Sequence, residues 1–138
     1  MVEGLEAAGQ VYLTLTDADG AETELRGDRL SMAFKGGDLD SLLLWGNCSG
    51  RYVSEEGKTE NRLSGGQQTI WFESEKISRI QIEDHAECEQ VPRDESENRI
   101  RVTGDRVVLR FAAGKLQEVV AVGGVKGNYQ PGEEENSP

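Results

Sequence analysis

The sequence predicts an all-β chain of repeated antiparallel hairpins, and three observations carry that prediction. Apolar and polar residues alternate with a period of two along most of the chain. Glycine is abundant, with 17 residues in 138, while helix signals are nearly absent. A strand–turn–strand pattern also recurs three times, at intervals of 38 and then 39 residues between its phenylalanines, Phe34, Phe72 and Phe111.

The elements follow in order. Residues 1–10, MVEGLEAAGQ, form a flexible lead whose one helix-like stretch, Gly4 to Ala8, is short. Val11, Leu13 and Leu15 alternate with Tyr12, Thr14 and Thr16 as in a half-buried strand. The turn residues Asp17 to Gly20 and a return strand at Thr23 to Leu25 complete an N-terminal hairpin. The repeat then begins. LRGDRLSMAF from Leu25, LSGGQQTIWF from Leu63 and VTGDRVVLRF from Val102 each place a glycine two positions after an aliphatic residue and a phenylalanine nine positions after it. A polar or glycine-rich turn follows each phenylalanine (KGGD, ESEK, AAGK), and an aliphatic run follows each turn. The first and third copies align without gaps from Gly27–Tyr52 to Gly104–Tyr129, with nine identities in 26 positions. Gly27, Gly65 and Gly104 are predicted bend positions.

Within each unit the same parity is apolar. Leu30, Met32, Phe34, Leu44, Ile70, Phe72, Ile80, Ile82, Val107, Leu109, Phe111 and Val119 fall on one face, and the partner positions are mostly polar. Leu43, Trp45, Trp71, Val108, Val120 and Val122 are apolar on the other face, which implies that it is partly covered or packs against a partner. The charged connections Ser54 to Arg62 and Cys88 to Arg99 read as solvated loops or hairpin tips. Residues 131–138 read as a disordered acidic tail.

Composition excludes several functions. Net charge is −11, from 26 acidic and 15 basic residues, so neither a phosphate backbone nor an anionic membrane surface is an expected partner. No apolar run approaches the roughly 20 residues of a membrane-spanning helix, and the N-terminus lacks secretory-signal features. Cys48 and Cys88 could form one disulfide or serve as two small buried hydrophobes. Arg26-Gly27-Asp28 spells an adhesion tripeptide, but its recurrence as Thr103-Gly104-Asp105 at another repeat junction points to a structural role. His85, near Cys88, supplies too few ligands for zinc and reads as a surface polar residue at a strand end. No nucleophile–base arrangement or phosphate-binding loop is recognisable, so no catalytic residue, metal or cofactor is expected.

The repeated motif, seen best in GDRLSMAF, GDRVVLRF and LQEVVAVGGVKG, resembles the OstA-like family over about Val11 to Tyr129. That family includes periplasmic lipopolysaccharide-export proteins and the N-terminal domain of an outer-membrane assembly protein. The resemblance implies a bent β-jellyroll, or β-taco, over residues 11–130, whose inner faces form an apolar cleft. It further implies periplasmic binding of lipopolysaccharide or another acyl lipid, end-to-end docking of OstA-like domains through edge strands, and neither enzymatic activity nor a cofactor. The twelve residues of the apolar face would then line the cleft. With a chain this acidic, binding would rest on acyl chains while the headgroup stays in water. The residues themselves leave a second reading open, in which the same row is the filled core of a closed barrel or sandwich and the domain assembles through its edges without lipid. A third reading is a carbohydrate- or surface-binding domain with Trp45 and Trp71 as its platform.

Overall fold

The structure, a computed structural model, describes residues 4–17, 20–53, 59–92, 98–113 and 115–132. It is all-β. The strands are β1 (Gly4–Thr16), β2 (Glu22–Lys35), β3 (Asp38–Val53), β4 (Thr59–Glu73), β5 (Lys76–Pro92), β6 (Arg99–Ala112), β7 (Lys115–Val122) and β8 (Lys126–Gln130). They form one antiparallel sheet in the order β1 to β7, and β8 pairs with β6 beside β7. β7 and β8 are therefore two halves of one edge strand, and β1 is the other edge. The sheet does not close into a barrel.

β3 and β5 span 16 and 17 residues, about three times the usual strand length of 5–6. The excess has a cause, because the long strands cross a line of bulges that divides them in two. Register breaks between Ala8 and Val11, Arg26 and Arg29, Trp45 and Cys48, Ser64 and Gln67, and Glu83 and Ala86. On the last edge strand, Gly123 to Val125 separate β7 from β8. On alternate strands the bulge residues take left-handed backbone: Gly9, then Gly46 with Asn47, Asp84 with His85, and Gly123 with Gly124. The intervening strands place Gly27, Gly65 and Gly104 there, and the reason is space rather than φ. A Cβ on Gly65 would lie 2.5 Å from Ile82 Cγ2 and 2.8 Å from the Glu83 carbonyl. An acidic side chain crosses every second junction: Asp28 lies over Gly46, Asp84 over Gly66, and Asp105 over Gly123. The bend positions expected at Gly27, Gly65 and Gly104 are thus present and have partners on every neighbouring strand.

One half of the folded sheet carries the tight turns. Lys35 pairs with Asp38, Glu73 with Lys76, and Ala112 with Lys115, so each of these hairpins has a two-residue loop. Phe34, Phe72 and Phe111 then pair with Leu39, Ile77 and Leu116, and one extra residue bulges out beyond each pair. The 38–39-residue recurrence of phenylalanine therefore marks one cross-strand pair at the base of each tight turn. The other half carries the longer connections.

The two halves face each other across one apolar core. Tyr52, in the long-connection half of β3, stacks edge-on against Phe111, in the tight-turn half of β6, with centroids 5.1 Å apart. Strands this far apart in a sheet meet only if the sheet folds back on itself. The core between the layers includes Leu25, Leu42, Leu44, Ile70, Ile80, Ile82, Val107 and Leu109, none more than 1% exposed. Burying one such side chain is worth about 1.5–3 kcal/mol, so the inner row dominates stability.

Several sequence expectations change. Residues 4–10 are not a flexible lead and contain no helix: Gly4 to Ala8 pair in register with Ala33 to Arg29 of β2. Their alanine-rich composition suits a helix, but pairing with a neighbouring strand overrides that weak preference. The charged connections are shorter than expected, because Thr59 to Arg62 belong to β4 and Cys88 to Pro92 to β5. Residues 54–58 and 93–97, and 133–138 of the tail, lie outside the described residues. His85 is exposed at a mid-strand bulge rather than at a strand end. Cys48 and Cys88 are free and buried. They pair with Gly65 and Leu63 on opposite sides of β4.

Candidate functional site

Folding the sheet creates a mouth where the tight turns approach the β1–β2 connection. A cavity of about 230 Å3 opens there. Its floor comes from both layers: Leu15, Ala21 and Tyr52 from one, Leu39, Phe72 and Ile77 from the other. A second hollow, of about 510 Å3, adjoins the first at Ile77. It runs past the β4–β5 turn to Phe111 and Ala112 at the β6–β7 turn. Sharing Ile77, the two form a groove along the mouth with an apolar floor, and Glu73, Ser74, Lys76 and Ser78 also line its second part.

The local sequence explains its shape. The turn residues Gly36 and Gly37 have positive φ, which lets β3 return at once and brings Leu39 opposite Phe34. Asp17 Oδ1 accepts a hydrogen bond from the Ala21 amide at 3.1 Å, closing the β1–β2 connection over the cavity. Asp17, Asp38 and Glu75 stand among its lining residues, and no basic side chain does among the described residues.

Ten of the twelve residues expected to line a cleft belong to or pack against the inner core; Phe34 and Val119 do not. Leu30, Leu44, Ile70, Ile80, Ile82, Val107, Leu109 and Phe111 are buried in the core. Met32, Phe34 and Phe72 are half-buried, and Val119 on edge strand β7 is exposed. Of the twelve, only Phe72 and Phe111 border the mouth groove. Leu15, Leu39, Tyr52 and Ile77 complete it and were missed by sequence reasoning. The pairing of each repeat phenylalanine with an aliphatic residue five positions later was the available signal for Leu39 and Ile77.

Near the bend, Gln68 is fully buried within the apolar row, between Leu44 and Ile82 in register. Its amide packs against Gly50, where a Cβ would come within 3.0 Å of Nε2, and neither amide atom has a hydrogen-bond partner. It offers a donor and an acceptor inside an otherwise dry layer. The thiols beside this region are held protonated. Burial, opposed by the Gln68 backbone hydrogen bond, pushes Cys48 up to about 11. Burial, with Glu87 and Glu89 adding repulsion, pushes Cys88 up to about 12. Among the described residues no group of three potential ligands could hold a metal ion.

The outer face differs between the two halves. On the long-connection half, charges alternate across the strands. Glu60, only 5% exposed, receives Arg51 at 2.7 Å and Arg62 at 2.6 Å, and Arg101 meets Glu87 at 2.7 Å. The hydrogen bond from Arg51, with support from Arg62, holds the Glu60 carboxyl below the usual carboxylate range despite its desolvation. On the tight-turn half, Arg29 lies over Trp45 and Arg79 over Trp71, at 5.7 and 4.8 Å from the ring centroids. Both tryptophans are half-buried with an arginine on one face, which leaves less ring for a sugar platform. The exposed large apolar residues gather at the sheet edges: Leu5 and Tyr12 on β1, then Val119, Val120, Val122, Val125 and Tyr129 along β7, β8 and their junction.

The fold and groove define an open, bent β-sheet domain with an apolar mouth. No protein-family model matches the chain, and no curated protein sequence matches it significantly.

Proposed function

We propose that the chain is a non-enzymatic lipid-binding and bridging module of the periplasm, acting in lipopolysaccharide transport to the outer membrane. The mouth groove carries this reading. It is floored by Leu39, Tyr52, Phe72, Ile77 and Phe111, and it opens at the tight-turn end of the folded sheet. An acyl chain laid along it gains about 0.8 kcal/mol per buried methylene. Half-buried Met32 and Phe34 extend the apolar surface beyond the groove. The resemblance of the repeats to the OstA-like family supplies the biological setting, and like domains would dock end to end through their edges. β1 and β7–β8 present both unpaired backbone and the exposed apolar residues.

Native mass spectrometry of the folded protein with lipopolysaccharide, and separately with a simple fatty acid, tests this reading. A bound acyl lipid at one-to-one stoichiometry supports it. Absence of both ligands from a folded protein rejects it.

One observation favours a second reading, a structural β-module that assembles through its edges without lipid. Eight of the twelve inner-row residues are packed at 8% exposure or less, as in a filled core. This reading predicts concentration-dependent assembly of lipid-free protein, weakened by Val120→Lys on β7, and no lipid adduct.

A further inference from the structure

We infer that the end of the mouth groove nearest the β1–β2 connection selects amphiphiles with a cationic amine beside their apolar chain. This rests on the groove being a binding site and adds the charge of what it holds. The cavity there is about 230 Å3, below the roughly 300–1,000 Å3 of sites for drug-sized ligands. It is larger than the about 150 Å3 that accommodates a benzene ring, so a single short chain or ring fits and a bundle of acyl chains does not.

Its chemistry is divided. Leu15, Ala21, Leu39, Phe72 and Ile77 supply an apolar floor, and Asp17, Asp38 and Glu75 supply carboxylates. Those three come from three different connections or strand ends: the β1–β2 connection, the start of β3 and the β4–β5 turn. They converge only because the sheet is folded. No basic side chain is among the described lining residues of this cavity. Lys76, next to Glu75, lines the adjoining hollow, and Lys35 pairs with Asp38 across the turn. Three carboxylates against two flanking ammoniums leave a net negative field that favours a positive head. Asp17 accepts the Ala21 amide at one oxygen and helps hold the connection, so Asp38 and Glu75, exposed at the tight turns, are the carboxylates to substitute. A lipopolysaccharide molecule in the groove would therefore turn its phosphates away from this end.

The test compares octylammonium, octanol and octanoate, one chain with three head charges, by titration into 15N-labelled protein. Amide shifts of Ala21, Leu39 and Ile77 report occupancy of this end. Octylammonium is expected to bind about tenfold more tightly than octanoate at low salt, with octanol between them. The double variant Asp38→Asn/Glu75→Gln is expected to bring the three affinities within about twofold of one another. The two acidic residues are exposed or at a turn, so the variant's fold is checked by its unchanged amide spectrum elsewhere. Octanoate binding as tightly as octylammonium overturns the charge selection while leaving the groove reading intact. A preference that survives the double variant also overturns it. Failure of all three ligands to produce saturable shifts overturns the groove reading as well.

Discussion

Gly65→Ala is expected to destabilise the protein by about 1–2 kcal/mol, although it adds a single methyl group. Gly65 lies on central strand β4, and its φ is not in the left-handed region, so alanine incurs no backbone penalty there. In an unstrained site the exchange would stabilise by about 0.4–1 kcal/mol through the unfolded chain. The cost at Gly65 is steric. The new methyl would sit 2.5 Å from Ile82 Cγ2 and 2.8 Å from the Glu83 carbonyl, against an optimum of about 3.5–4.0 Å between carbons. Ile82 is fully buried and cannot swing into solvent, so relief requires an off-rotamer side chain and a shift of the β5 backbone at its bulge. Overpacking of this kind costs about 1–3 kcal/mol, and the net follows after the unfolded-state gain. Gly27→Ala, with Leu44 Cδ2 at 2.9 Å, should rank second. Gly104→Ala should rank last, because its nearest neighbours at 3.1 and 3.3 Å are carbonyls at the end of β7, on an edge free to move. Urea unfolding measures the series. With a slope of about 2 kcal/mol per molar, Gly65→Ala should lower the midpoint by roughly 0.5–1 M. A midpoint at or above that of the parent protein, or Gly104→Ala as the most damaging change, would refute the close-packed bend.

Three further outcomes are expected. Phe72→Asp should abolish acyl-lipid binding in a folded protein, and retained binding would place the ligand outside the groove. Glu60→Gln should cost about 1 kcal/mol near neutral pH, discounted for the half-exposed arginines that flank it. Because the folded carboxyl titrates below its unfolded value, that difference is present above the unfolded range and should vanish as pH falls through the folded value. A difference that grew on acidification would contradict the pairing. Cys48 and Cys88 should resist thiol reagents at pH 8 in the folded state, since a thiol at about 11 has a thiolate fraction of about 0.001. Their raised values also contribute stability that is full below about pH 9 and declines as pH rises toward 11–12, an alkaline loss that Cys48→Ala should reduce.

The inner row was legible in the sequence because period two persists through it: Leu30 and Met32, Ile80 and Ile82, Val107 and Leu109 all face inward. Gly27, Gly65 and Gly104 were legible because the repeat exposed them. The bends on the alternating strands were not, because two of their positions, Asp84 and His85, are polar residues that read as surface. A spacing of 18–20 residues links Gly9, Gly27, Gly46, Gly65, Asp84, Gly104 and Gly123, and it was the signal for the whole line. The groove was less legible for a different reason. Leu15 and Tyr52 meet Leu39 and Ile77 only after every strand has folded in half, and no local pattern encodes that meeting. The same folding explains why an apolar row that suggested one continuous cleft became mostly core, with its accessible part confined to the mouth.

Photo-crosslinking from adjacent residues of β4 tests the central claim most directly. A benzophenone amino acid at Phe72 points it into the groove, and one at Trp71 places it on the outer face beside Arg79. With an acyl lipid present, crosslinks are predicted from position 72 and not from position 71. Equal crosslinking from both, or none from position 72 in a folded protein, would contradict a lipid-binding mouth.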